Sequence, residues 1–66
     1  MRLNGVIFDP GQATKLGEIL ELAGYKPDRV AVLVNEEIIQ RHLLVDTEIG
    51  PDDVIEVVHF MGGGSR

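Results

Sequence analysis

Val54-Ile55-Glu56-Val57-Val58-His59-Phe60-Met61 leads directly into Gly62-Gly63-Gly64 in this 66-residue chain. Val, Ile and Phe are enriched over a span too short for a stable helix, which predicts a largely buried β-strand. The three glycines have no side chains and little restriction on φ. Most domains let their termini fray after a loop, whereas here a core strand runs straight into a bare peptide segment. We therefore predict a folded domain over residues 1–61 and a flexible, functional tail over residues 62–66.

The composition limits both the size of the domain and its chemistry. Sixty-six residues, 44% of them hydrophobic, make one domain with a thin core, and there is no Cys, which excludes disulfides, thiolate metal sites and a cysteine nucleophile. The net charge of −5, with six separate Lys and Arg residues, provides no basic stripe for nucleic acid. No run approaches the ~20 apolar residues of a membrane span, and no signal peptide is recognisable. We expect neither a nucleic-acid nor a membrane partner, and a cytoplasmic location.

The N-terminal residues predict a β-hairpin. Met1–Asn4 alternates apolar and polar side chains. Asn4-Gly5 favours a type I′ turn, because both central residues of that turn need a positive φ. Val6–Phe8 returns as a second short strand. Asp9-Pro10-Gly11 ends it, since Pro lacks a backbone N–H and Gly accepts any φ.

An amphipathic helix is predicted next. Its apolar stripe has the i, i+3, i+4, i+7 spacing of one helical face and consists of Leu16, Ile19, Leu20 and Ala23. Thr14 is the predicted N-terminal cap, and Gly24 the C-terminal cap, which leaves a helix of about ten residues. Gly17 costs roughly 1 kcal/mol relative to Ala inside a helix. This glycine indicates either a close approach to another segment or a weak first turn.

The second half of the chain predicts three more strands. Val30–Val34 is apolar on both faces, as in an interior strand, and Asn35–Glu37 turns the chain into a short strand at Ile38-Ile39. Leu43–Val45 is expected to plug the bottom of the core. The polar segment that follows contains Gly50–Asp53, a turn by composition, and leads into the final strand.

The order hairpin, helix, strand, strand, connector, strand predicts an α+β domain. One main helix packs on one face of a small mixed sheet. The first and last strands are best placed side by side and parallel in the middle of that sheet. This is the β-grasp, or ubiquitin-like, arrangement.

The chain resembles the ThiS/MoaD family of ubiquitin-like sulfur carriers, and within it the ThiS-like carriers of thiamine biosynthesis. The resemblance spans nearly the whole chain, and its most specific part is the last strand with the glycine tail. The matching segments are Leu3-Asn4-Gly5, Gly11–Thr14, Val30–Asn35, Ile38–Arg41 and Asp53–Gly64. Three features depart from the family pattern. Glu36 and Asp52 stand at turn positions where the family usually has Gly, and Ser65-Arg66 follow the Gly-Gly end at which such carriers stop.

The resemblance implies a carrier rather than an enzyme. A separate E1-like adenylating enzyme uses ATP to activate the C-terminal carboxylate, sulfur from a persulfide enzyme replaces the AMP, and the resulting thiocarboxylate supplies thiazole synthase. Aligning the tail with the family implies that Gly64 carries the sulfur, with Gly63 as the second threaded glycine and Gly62 and Met61 as the rest of the tail. Ser65-Arg66, if native, must then be removed first. The carrier is expected to be a monomer with no bound cofactor, no metal and no catalytic residues of its own.

Apolar residues on both sheet faces predict a docking surface beside the tail. One parity along the strands comprises Val30, Val32, Val34, Val54, Val58 and Phe60, and the other comprises Ala31, Leu33, Ile55 and Val57. Whichever set faces away from the helix is expected to form an apolar protein-binding patch. The predicted docking residues are Ile55, Val57, Val58 and Phe60.

Two other functions are compatible with the sequence. The small subunit of molybdopterin synthase is another β-grasp thiocarboxylate carrier, although the compact link over residues 24–30 favours the thiamine branch. The chain could instead be an unconjugated β-grasp interaction module with an inert tail. Other chemistry finds little support: His42 and His59 lack further ligands at metal-binding spacing, Asp52-Asp53 lacks the remaining oxygens of a cation site, and Ser65 has no base near it in sequence.

Overall fold

The computed structural model describes residues 1–59, and residues 60–66 lie outside the described part. Residues 1–59 form five strands, one α-helix and two 3₁₀ helices. The strands are β1 (Arg2–Leu3), β2 (Val6–Ile7), β3 (Val30–Val34), β4 (Glu37–Ile38) and β5 (Val54–His59). Helix α1 spans Leu16–Leu22, and the 3₁₀ helices span Pro27–Arg29 and Arg41–Leu43. None of the helices in this described part has the length and apolar character needed to cross a membrane.

Strand β5 lies in the centre of the sheet, which has the strand order β2-β1-β5-β3-β4. β1 pairs with it in parallel, with Leu3 opposite Ile55. β3 pairs with it antiparallel, with Val32 opposite Val57. The outer pairs, β1 with β2 and β3 with β4, are antiparallel hairpins. The first and last strands are therefore adjacent and parallel, which confirms the predicted β-grasp fold.

Both hairpins turn through two residues with positive φ. In the first turn Asn4 and Gly5 have φ values of 53° and 83°, and in the second Asn35 and Glu36 have 51° and 72°. This sign at both positions is what a type I′ turn requires, so the predicted first turn is confirmed. Glu36 adopts a left-handed conformation that typically costs a non-glycine residue about 1–2 kcal/mol. The departure from Gly at this position therefore strains the turn without changing its path.

Backbone carbonyls from the connector between β4 and β5 cap the N-terminus of α1. The N–H groups of a first helical turn have no partners within the helix. Here the Leu16 N–H donates to the Thr47 carbonyl at 2.8 Å, and the Gly17 N–H donates to the Val45 carbonyl at 3.1 Å. The prediction that Thr14 caps the helix is wrong, because these carbonyls satisfy the donors. The helix begins at Leu16 and has seven residues rather than about ten.

Gly17 allows the connector to pass directly against the helix. A Cβ atom at this position would lie 2.7 Å from Val45 Cγ1 and 3.1 Å from both the Val45 Cα and its carbonyl oxygen. A side chain of any size would therefore push the connector away and weaken the capping hydrogen bond. Of the two explanations that the sequence allowed for this glycine, the close approach is confirmed.

Gly24 terminates α1, as predicted, two residues after the last helical residue, Leu22. Gly24 has a φ of 91°, and its N–H donates to the Glu21 carbonyl at 3.0 Å. The N–H of Tyr25 donates to the Leu20 carbonyl at 2.8 Å. The two bonds form a Schellman motif, which satisfies the last carbonyls of the helix. The motif also fixes Tyr25 against the end of the helix.

The core lies between α1 and one face of the sheet. Its buried members are Leu3, Leu16, Ile19, Leu20, Val30, Val32, Leu44, Ile49, Ile55 and Val57. Of the predicted plug at 43–45 only Leu44 is buried, whereas Leu43 and Val45 are 50% and 53% exposed. Ile49 is buried although it lies in a segment that was expected to be polar throughout. The hydrogen bond from its N–H to the Thr14 carbonyl, 2.8 Å long, fixes the connector at this point.

Asp53 joins the turn before β5 to the turn after β3. Its carboxylate accepts hydrogen bonds from the Gly50 N–H at 2.7 Å and from the Asn35 side-chain amide at 2.9 Å. The Asn35 side-chain oxygen in turn accepts from the Val54 N–H at 3.0 Å. The pKa of Asp53 lies below its ordinary value of 3.8. The larger cause is the hydrogen bond from the Gly50 N–H and the smaller is the one from the Asn35 amide, because both donors favour the ionised carboxylate.

We predict that Asp53→Asn lowers stability at neutral pH and that its effect disappears in acid. Because the pKa of Asp53 is lower in the folded than in the unfolded state, the ionised carboxylate stabilises the fold at pH values above the unfolded pKa of 3.8. This stabilisation is lost as the pH falls through the folded-state pKa. Urea unfolding of both proteins at several pH values measures the difference. A difference in unfolding free energy that stays constant from neutral to strongly acidic pH would contradict the role assigned to the carboxylate.

We also predict that Gly17→Ala destabilises the protein by up to about 2 kcal/mol, the overpacking cost less the gain in helix propensity. Helix propensity alone favours Ala by about 1 kcal/mol, but overpacking against Val45 typically costs about 1–3 kcal/mol. The connector cannot retreat without stretching the bond to the Gly17 N–H. Urea denaturation measures the change, with Glu21→Ala, an exposed site on the same helix, as the matched control. A gain in stability for Gly17→Ala would show that the connector is free to move.

Candidate functional site

The two faces of β5 meet different surroundings. Ile55 and Val57 point towards α1 and are 0% and 8% exposed, whereas Val54 and Val58 point away and are 41% and 54% exposed. The prediction that Ile55 and Val57 dock a partner is therefore wrong, because both are core residues. Val58 is exposed and available for docking, and Phe60 lies outside the described residues.

The register between β3 and β5 explains this error. Val32 lies opposite Val57, and Ala31 lies opposite Val58. Residues that are directly opposite share a face of the sheet. Even-numbered residues of β3 therefore share a face with odd-numbered residues of β5, and the predicted grouping of Val30, Val32 and Val34 with Val54 and Val58 is wrong.

We call the sheet face that points away from α1 the open face. The strand registers place eight residues on it: Arg2, Ile7, Ala31, Leu33, Ile38, Val54, Glu56 and Val58. Ile7 and Ile38, on the two edge strands, are 75% and 69% exposed. Six of the eight residues are apolar, and an exposed surface of this composition is typical of a protein-binding site. The open face thus has the character predicted for the docking patch, with a different membership.

The Asn4 side chain supports β5 beyond the end of β1. Its Oδ1 accepts a hydrogen bond from the Val57 N–H at 2.7 Å, and its Nδ2 donates to the Tyr25 hydroxyl at 3.1 Å. The Tyr25 ring packs against His59, with ring centroids 5.3 Å apart and planes tilted by 45°. The last residues of β5 are thereby joined to the first hairpin and, through Tyr25, to the end of α1. These contacts fix the last described residues of β5 in place.

Sequence reasoning did not identify Asn4 and Tyr25 as supports of β5. Asn4 was assigned only to a turn, and nothing near Tyr25 in sequence indicates its partner. The distance between the two positions along the chain leaves no local pattern to detect. The predicted tail residues Met61, Gly62, Gly63 and Gly64 lie outside the described residues, so their assigned roles, and the boundary between domain and tail at residue 61, stay predictions.

The described residues bring together few ionisable groups. Within residues 1–59 the one ion pair joins Lys15 and Glu48 at 3.8 Å, on the surface, where such pairs contribute little. No three His, Asp or Glu side chains in that range are grouped so that they could hold a metal ion. What the described geometry offers is a rigid domain with an apolar face on the strand that continues towards the glycines.

A β-grasp domain whose central strand carries an open apolar face and continues into a glycine run belongs to the class of ubiquitin-like carrier domains. The model of the ThiS family matches residues 1–64. This chain belongs to the ThiS family. The match includes the glycines, which lie beyond the described residues.

Several named relatives agree with this membership. The chain is 44% identical to the sulfur carrier protein ThiS of Bacillus subtilis over 45 residues, which are 65% of this chain and 68% of that protein. It is 38% identical over its full length to a thiazole synthase of Magnetococcus marinus, of which it spans only 20%. The crystal structure of the thiamine biosynthesis protein ThiS from Geobacter metallireducens matches with a TM-score of 0.73 and 29% identity over 96% of each chain. These likenesses agree with membership of the ThiS family.

We predict that Asn4→Gly loosens the end of β5 without disturbing the first turn. Glycine keeps the positive φ but removes the acceptor of the Val57 N–H, which should cost about 1–2 kcal/mol of unfolding free energy. Hydrogen exchange should show reduced protection of the Val57 amide.

The matched control is Asn4→Asp, which keeps an oxygen acceptor for Val57 and loses only the donor to Tyr25. Most of the protection at Val57 should therefore return in this variant. Unchanged Val57 protection in Asn4→Gly would show that the side chain does not support the strand.

Proposed function

We propose that this chain carries sulfur as a C-terminal thiocarboxylate on Gly64 and delivers it for formation of the thiazole of thiamine. The observation that carries the proposal is the central position of β5: the strand is paired on both edges, and its sequence continues into Gly62-Gly63-Gly64 within the family match. A strand paired on both edges directly before the glycines supports a role for them as the reacting end of the chain.

In the proposed cycle the chain is the substrate of other proteins. An E1-like adenylating enzyme joins the Gly64 carboxylate to the AMP portion of ATP, and pyrophosphate leaves. The terminal sulfur of a persulfide on a sulfur-donating enzyme then attacks the acyl carbon and displaces AMP. A thiol cleaves the S–S bond of the resulting acyl disulfide, which releases the thiocarboxylate and leaves the thiol and the donor cysteine as a disulfide. No catalytic group of this chain is needed for any of these steps, and ATP is held by the activating enzyme. The chain is proposed to act as a monomer in the cytoplasm.

Glycine suits the reacting end for steric reasons. A chain without Cβ atoms can pass through a narrow channel, and it lets catalytic groups approach the carbonyl carbon closely. The segment from Met61 to Gly64, fully extended, reaches roughly 13 Å. The tail can therefore enter an active site of the partner while the open face binds outside it.

The thiazole branch is favoured over the molybdopterin branch by the named relatives. A region similar to the whole of this chain forms a fifth of a protein named thiazole synthase, and two further relatives are ThiS proteins. This supports thiazole synthase as the acceptor of the sulfur. It also supports the carrier over an interaction module with an inert tail.

We predict that protein ending at Gly64 gains about 16 Da when it is incubated with the activating enzyme, ATP, a persulfide source and a thiol reductant, because one oxygen is exchanged for sulfur. Protein that retains Ser65-Arg66 should not react, since the cationic Arg66 side chain would occupy a channel built for glycine. Intact-mass spectrometry measures both. Adenylation of the 66-residue chain at Arg66, with no loss of mass beforehand, would refute Gly64 as the acyl position.

A protein lacking residues 62–66 provides the control for folding. It should show no gain of mass, and its unfolding free energy should equal that of the full chain. A large loss of stability in this variant would mean that the tail is structural rather than reactive.

A further inference from the structure

Glu56 lies at the centre of the open face. Val54 and Val58 flank it two residues away on the same side of β5, and Leu33 lies directly opposite on β3. Ile38 lies opposite Leu33 on β4. Side chains of directly opposite residues start about 5 Å apart, so the carboxylate has apolar neighbours along β5 and on the side of β3 and β4.

Within the described residues this carboxylate has no ion-pair partner. The ion pair present in residues 1–59 joins Lys15 to Glu48. Arg2, the cation on the open face, is in register with Val54 rather than with Glu56. Glu56 is exposed, so water solvates its charge while the face is uncovered.

Covering the open face would remove that water. An ionised carboxylate that is buried against apolar groups alone is strongly unfavourable, whereas a carboxylate that meets a cation in the same contact is compensated. The net charge of −5 also favours the approach of a basic surface. We propose that the protein that binds the open face presents an Arg or Lys side chain opposite Glu56, surrounded by apolar residues. Glu56 then determines which apolar surfaces the carrier accepts.

This inference deepens the proposed function and rests on it, because the adenylating enzyme is the partner tested. The dissociation constant for that enzyme is measured by calorimetry at about 50 mM and about 300 mM NaCl, a range over which charge screening changes strongly. The variants are Glu56→Gln, Glu56→Leu and Arg2→Gln. The matched control is Glu37→Gln, which also removes one carboxylate from a strand. Glu37 pairs with Val34 and therefore lies on the opposite face of the sheet from Glu56. Thermal unfolding of each variant confirms that it is folded.

Glu56→Gln and Glu56→Leu should each weaken binding at least about tenfold at low salt, because the partner's cation is left unpaired. Both variants should also show a weaker salt dependence than the natural sequence, because one charge pair of the contact is removed. Glu37→Gln and Arg2→Gln should stay within about twofold of the natural sequence. A further variant, Glu56→Lys, should bind weakly because it places like charges opposite each other. Single Arg and Lys residues of the partner are then replaced by Glu, and the replacement that restores binding of Glu56→Lys identifies the cation.

Several results would overturn the inference while leaving the proposed function intact. Equal or tighter binding of Glu56→Leu would show that the partner's surface is apolar opposite this position. Equal weakening by Arg2→Gln would show that the carrier itself neutralises the carboxylate. By contrast, if the unmodified carrier neither binds the adenylating enzyme nor gains the mass of sulfur, the proposed function fails and this inference falls with it.

Discussion

The pairing of β5 on both of its edges is the constraint on which the remaining structure depends. β1 pairs with one edge in parallel and β3 with the other antiparallel, so within the sheet β5 lies between the two hairpins and joins them. Its inward side chains, Ile55 and Val57, fill the core beneath α1. The strand is therefore held by two neighbouring strands and by the core beneath it.

A seven-residue helix would not be stable alone, since isolated helices of this length are marginal in water. Here the connector before β5 supplies what the helix lacks. The carbonyls of Val45 and Thr47 accept its first N–H groups, and Gly17 makes room for that approach. Leu44 and Ile49 of the same connector enter the core. A segment without regular structure thus completes both the end of the helix and the bottom of the core.

The two faces of the sheet have different surroundings. One face is covered by α1 and contains the side chains that stabilise the domain, while the open face holds the apolar residues around Glu56. Supports at the end of β5 come from Asn4 and Tyr25, which belong to other elements. The proposed chemistry assigns recognition to the open face and reaction to the glycine segment of the sequence.

The sequence by itself determined the class of fold, the two turns and the end of the helix, because these depend on local properties: alternation, apolar spacing and the positive φ that Asn4, Gly5 and Gly24 allow. The role predicted for the glycine segment came from the resemblance to a family. Only the tertiary structure decided which face of β5 is buried. Val57 and Val58 are chemically identical, and their environments differ because the register with β3 turns one towards α1 and the other towards solvent. The helix cap was likewise decided by Val45 and Thr47, more than twenty residues away in sequence, since contacts between distant segments leave no mark on local sequence patterns.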